Sequence, residues 1–219
     1  SVVAATLLTS VRSFSNKNTS TIMASSSNAG TETPKSLQPL VDRLVNTWPD
    51  QLRTETAEHK AKSFLEARTT DDGTNQQRRP VLNGHWVPVT PAGLPAPQLL
   101  LHSSSTAELL ELSEDMMTSN DDLMNWLSGN LILKQSPWAT AYALSIMGTR
   151  YTNNCPYGTG DGYGDGRAVS IGELSTTNAG NFELQLKGSG PTPYCRGADG
   201  RAVLRSSIRE FLAQEANWH

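Results

Sequence analysis

The chain is short of most of what specialised surfaces are built from. It has two cysteines, Cys155 and Cys195, in 219 residues. Two cannot form a cysteine-only zinc centre and make a poor disulfide framework, so a reducing compartment is the simpler expectation. Aromatic residues are 6% and hydrophobic residues 37% of the sequence, against roughly 45–50% hydrophobic in ordinary globular domains. With a mean hydropathy of -0.42, that shortage predicts that part of the chain lies outside any packed core. Eighteen basic and twenty-one acidic residues leave a net charge of -3, which offers no electrostatic footprint for nucleic acid or for an anionic membrane. No stretch approaches the roughly 20 apolar residues of a membrane span; the longest runs are pieces such as Leu99–Leu101 and Leu131–Leu133. Neither nucleic acid nor membrane is expected as a partner.

What is present divides the chain in three. Residues 1–36 hold nine serines and six threonines, with Arg12, Lys17 and Lys35 as the cations and Glu32 as the acid. This composition predicts a disordered leader with the character of a transit peptide, mitochondrial in the first instance, with another organelle or the cytoplasm as alternatives. Residues 37–79 carry apolar residues at helical spacing among many charges, interrupted by Pro49, and predict a helical and loop extension. They end in TTDDGTNQQRR, residues 69–79, which has no apolar residue and reads as a boundary. The folded part is expected over residues 80–219. Prolines 80, 88, 91, 95 and 97 predict an extended path across a surface. Ser104 or Ser105 can cap a helix from Thr106 through Met117, Asn120 a second over Asp121–Leu127, and Pro137–Met147 reads as a third. The sequence begins at Ser1 rather than Met and stops at His219 directly after a helical stretch, so a fragment of a longer product is expected.

Five glycines fall within YGTGDGYGDGR, residues 157–167. AVSIGEL (168–174) and FELQLK (182–187) then alternate in strand fashion around the turn-rich STTNAGN, predicting a β-hairpin. Glycines let backbone N–H groups approach phosphate oxygens, and Lys187 ends the second strand 20 residues after Arg167, a charge suited to a polyphosphate. A Walker A loop and a dinucleotide fingerprint both need a helix where this segment enters a strand. A calcium loop needs a bidentate Glu where Gly172 stands. After a rigid turn, Asp199 can cap a helix on which Val203, Leu204, Ile208, Phe211 and Leu212 share a face expected to pack on the sheet. Glu210 lies at one edge of that face and Glu215 in its middle, and the helical period excludes neither as a partner for Lys187.

Glycine-rich loop, strand, strand ending in Lys and helix bearing an acid is the order of a protein-kinase N-lobe. The segment ELQLKGSGPTPYCRGADGRAVLRSSIREFLAQEA (183–216) resembles the selenoprotein O family of kinase-like proteins, and weaker likeness reaches back to about Val87. Cys195 stands where the family usually has Ser, and NNCPYGTGDGYGDGR replaces a GHQFG-like stretch. The resemblance implies an α+β fold with a protein-kinase-like N-lobe, an antiparallel sheet plus helix, behind the disordered leader. It implies a protein adenylyltransferase that holds ATP in a flipped orientation and transfers AMP to Ser, Thr or Tyr hydroxyls of protein substrates. Gly164, Gly166 and Arg167 would then line the nucleotide, Lys187 would contact phosphate, Asp199 and Gly200 would complete the site, and Glu210 would pair with Lys187. Mg²⁺ would neutralise the phosphates. The general base and the metal ligands are expected beyond His219, so this chain alone is expected to hold no catalytic residue or metal ligand and to be inactive. A catalytically dead interaction module and ordinary phosphoryl transfer are the alternatives.

Overall fold

The computed structural model describes residues 8–11, 33–140, 168–195 and 199–218. Strand β1 is Leu8–Val11, followed by a 3₁₀ turn at Lys35–Leu37 and helix α1, Gln38–Val41. Strand β2 is Leu44–Val45, α2 is Thr47–Gln51 and α3 is Ala57–Ala67. Strand β3, Trp86–Pro88, leads to α4, Ser104–Leu109, α5, Glu114–Ser119, and α6, Asp121–Leu127. Strands β4, Trp138–Thr140, β5, Ala168–Thr176, and β6, Gly180–Lys187, precede α7, Leu204–Trp218. The strands form one antiparallel sheet in the order β1-β6-β5-β4-β3, with β2 on the far part of β5. The fold is α+β.

The hairpin β5–β6 is the centre of this sheet, and its alternation explains why. Phe182, Leu184 and Leu186 point to one face and are buried with Ile171 and Leu174 against Leu110, Leu123, Trp126 and Leu127 of the helical layer. A strand half-buried in this way fixes its register, since a one-residue slip would expose the whole row. Leu37, Leu40 and Val41 complete the same core, so it reaches N-terminal to residue 80. A smaller cluster of Val87, Val89, Ala139, Val169 and Tyr194 continues it toward β3.

Several expectations change. Leu8–Val11, inside the predicted disordered leader, pair with Phe182–Gln185 along the open edge of β6. The proline-rich stretch does not simply cross a surface: Val87 and Val89 are buried, and Pro88 is accommodated because β3 is the last strand of its path, where a missing N–H does least harm. The helix expected over Thr106–Met117 is two helices. Glu111 takes a left-handed φ of 56°, Arg43 Nη1 donates to Leu110 O and to Glu111 Oε2 at 3.0 Å each, and the caps are Ser103 and Ser113. Trp138–Thr140, placed in a third helix by the sequence, pair with β3 as a strand; residues 141–147 lie outside the described residues. The Asp121–Leu127 helix is present, with Asn120 Oδ1 accepting from Leu123 N at 3.0 Å.

The polar tract 69–79 ends in a buried anchor. Arg79 Nη1 and Nη2 donate to Glu55 Oε1 and Oε2 at 2.9 and 2.8 Å, with side chains 0% and 3% exposed. Asn75, Ser63 and the Pro80 carbonyl accept its remaining hydrogens, and the Phe64 ring lies 4.6 Å beneath the guanidinium. This network ties the segment before β3 to α3.

Candidate functional site

Lys187 is the last residue of β6 and stands opposite Ala168, the residue that follows the glycine-rich segment. Leu186 turns into the core, so by strand alternation Lys187 projects from the other face. Its Nζ donates to Glu210 Oε1 and Oε2 at 3.0 and 2.9 Å, the two side chains being 15% and 31% exposed. Partial exposure screens the pair, which contributes about 1 kcal/mol to stability. Its larger effect is to hold an ammonium group in one position, since two short charge-assisted bonds fix its direction.

Beyond Lys187 the chain makes a close-packed turn. Ser189 pairs with Arg201 as an isolated antiparallel bridge, and Ser189 O accepts from Ala92 N at 2.7 Å. Gly200, at φ 70°, packs so tightly on this turn that a Cβ would overlap the Gly190 carbonyl. Only glycine meets both demands. Arg201 closes the arrangement by donating to Ala92 O at 2.9 Å and Gly93 O at 3.1 Å. The Asp199–Gly200 segment is thereby held against the turn that follows Lys187. Cys195 is buried nearby in sequence, its N–H donating to Thr192 O at 3.0 Å.

Asp199 does not cap the helix. Its Oδ1 accepts from Arg201 N at 2.9 Å, a turn within the loop, and α7 begins at Leu204. The predicted packing face also differs, because Val203, Leu204 and Leu212 are exposed and Ser207 is the buried residue of α7. Glu215 is half-buried beside Phe211 and Trp218 in the wall of a cavity, away from any described partner. Of the two acids, Glu210 is the one brought to Lys187. Gly164, Gly166 and Arg167 lie outside the described residues.

Glu173 was not among the residues singled out from sequence. It is buried in β5, where Thr47 Oγ1 and Trp48 N, at 2.7 Å, donate to its carboxyl. Burial pushes its pKa up from the ordinary carboxylate value against these hydrogen bonds, and Glu183 across the hairpin adds to the rise. Nothing in strand alternation distinguishes such a residue from an exposed acid. Among the described residues, no group of three or more His, Cys, Asp or Glu is placed to hold a metal ion, and no helix is long and apolar enough to cross a membrane.

The described residues thus bring together an antiparallel hairpin, its terminal lysine ion-paired to an acid on the next helix, and a glycine-tight turn between them. Residues 75–219 match the family model described as protein adenylyltransferase SelO, and the chain belongs to that family. It is 41% identical over 155 residues to the protein nucleotidyltransferase YdiU of Xanthomonas euvesicatoria pv. vesicatoria, covering 71% of this chain and 28% of that protein. Against the protein of the same name from Methylobacillus flagellatus it is 42% identical over 157 residues, again 71% and 28%. The chain thus spans less than a third of the length of these curated relatives.

Proposed function

We propose that this chain is the ATP-binding part of a protein adenylyltransferase, a kinase-like N-lobe that serves the transfer of AMP from ATP to Ser, Thr or Tyr hydroxyls of proteins. The observation that carries this reading is the Lys187–Glu210 pair at the end of the hairpin, across from the strand that the glycine-rich segment enters. Family membership and the nucleotidyltransferase names of the relatives support it.

In this reading Lys187 meets a phosphate of the nucleotide, and Glu210 keeps the ammonium from swinging away when the site is empty. Gly164, Gly166 and Arg167 would approach the phosphates from the loop, and Asp199 and Gly200 would complete the cradle. A hydroxyl oxygen of the substrate protein forms a bond to the α-phosphorus as the bond to the bridging oxygen breaks. The hydroxyl proton is lost and pyrophosphate leaves. Mg²⁺ would accompany the phosphates, and no ligand for it is assigned among the described residues.

The test is Lys187→Ala in the gene product that carries this chain. AMP transfer should fall at least tenfold, about 1.4 kcal/mol of transition-state stabilisation, with the thermal midpoint little changed. Unchanged transfer by a folded variant contradicts the assignment.

A further inference from the structure

The segment Pro91–Leu94 belongs to no helix or strand, yet side chains from two directions take hold of its backbone. From the helical layer, Asn130 accepts from Leu94 N at 2.8 Å and donates to Leu94 O at 2.9 Å. Asn130 is itself carried on the end of α6, its own N–H donating to Asn125 O at 2.9 Å, and it stands so close to Gly93 that a Cβ there would overlap its Oδ1. From the other direction, Arg201 donates to Ala92 O at 2.9 Å and to Gly93 O at 3.1 Å, while Ala92 N donates to Ser189 O at 2.7 Å. A guanidinium offers several N–H groups in a fixed plane, so one side chain can span two successive carbonyls; the single ammonium of lysine cannot keep that fork.

Arg201 is also joined to the turn before it. Its N–H donates to Asp199 Oδ1 at 2.9 Å, it bridges Ser189 two residues after Lys187, and the preceding Gly200 packs on the Gly190 carbonyl. We propose that Arg201 is a positioning residue for the nucleotide: without touching it, the guanidinium fixes Asp199 and Gly200 relative to Lys187 by anchoring their turn to the Pro91–Leu94 loop, which Asn130 holds to the helical layer. The inference rests on the reading of Lys187, Asp199 and Gly200 as ATP contacts. Contacts made equally in the bound and the transition state appear in KM and not in kcat, so a displaced turn should weaken the use of ATP while leaving the rate at saturation intact.

Two readouts on the gene product that carries this chain test it: AMP transfer as a function of ATP concentration, and amide hydrogen exchange without nucleotide, resolved to short peptides. Arg201→Met should raise the KM for ATP about tenfold with kcat changed by less than about threefold, and should speed exchange in residues 91–94 and 199–202 while leaving the β5–β6 hairpin alone. Arg201→Lys, which keeps the charge and loses the fork, should do the same to a smaller degree. Asn130→Ala should raise KM as well, and combined with Arg201→Met should give less than the product of the two single effects, because both act through one loop. Glu55→Gln, which destabilises through the separate Arg79 network, should leave KM unchanged. Exchange at 199–202 unaltered by Arg201→Met, a fall in kcat in place of the rise in KM, or an equal rise in KM in Glu55→Gln overturns the proposal. An unchanged KM in Arg201→Met overturns it too where Lys187→Ala still lowers transfer. Unchanged transfer in Lys187→Ala instead removes the ATP reading and the nucleotide role of Arg201 with it, and exchange, which needs no ATP, still decides whether Arg201 holds the turn.

Discussion

Replacing Glu55 by Gln is the sharpest test of how the segment before β3 is held. The substitution keeps the shape of the side chain and removes its charge. The Arg79 guanidinium, fully buried, would keep Asn75, Ser63 and the Pro80 carbonyl but face an amide whose NH₂ points hydrogens at its own. Breaking a buried ion pair from one side costs about 3–5 kcal/mol, a large share of the roughly 5–15 kcal/mol that keeps a domain folded. For a chain of this size, about 2–4 °C per kcal/mol places the fall in thermal midpoint at roughly 6–20 °C. Glu55 also accepts from Leu82 N at 3.1 Å, which the remaining amide oxygen of Gln can retain, so the measurement reads the lost charge together with the one acceptor replaced by a donor facing Arg79. Removing both charges, with Glu55→Leu and Arg79→Met together, should cost less than the two single changes summed, as coupled partners do. Calorimetry or circular dichroism melts of the parent protein, Glu55→Gln, the two single changes and their combination suffice. A midpoint lowered by less than about 2 °C in Glu55→Gln, or additive single changes, would show that the pair is not the anchor described.

Glu210→Gln should lower nucleotide-dependent activity at least tenfold while changing stability by about 1 kcal/mol or less, since the pair is partly exposed; Glu215→Gln should leave activity intact. The opposite pattern in activity and melting assays would mean that Glu215 is the partner of Lys187. Glu173 gives a pH signature whose sign follows from its raised pKa. The folded state holds the proton more tightly than the unfolded chain, so its favourable contribution is complete below the unfolded value and is lost as pH rises through the folded pKa. Melts from pH 4 to 8 should therefore show Glu173→Gln gaining on the parent protein as pH increases, and a gap independent of pH counts against burial as the cause.

The legible parts of the sequence were those in which local pattern and tertiary need agree. FELQLK alternates because one face of β6 is core, and Asn120 caps α6 because its acceptor lies just before an apolar helical period. Where a long-range contact decides, pattern was silent. The break between α4 and α5 is held by Arg43 from 67 residues away, and Leu37 and Leu40 look like residues of a surface helix until the helical layer closes over them. α7 shows the converse failure. Its apolar period is real, but Asp199 is engaged in a loop turn and much of the stripe is open to solvent, so amphipathicity predicted a buried face where the described residues supply little to bury it. For the site, the likeness of residues 183–216 to a known family chose Glu210, which the helical period alone could not.

The decisive measurement is label transfer from ATP carrying ³²P at the α- or the γ-position, using the gene product that contains this chain and its Lys187→Ala variant. Adenylyl transfer predicts that protein acquires label from the α-position and none from the γ-position, and that Lys187→Ala lowers the α-signal at least tenfold. Label arriving from the γ-position would make the reaction ordinary phosphoryl transfer, and label from neither would contradict an enzymatic role for the lysine site.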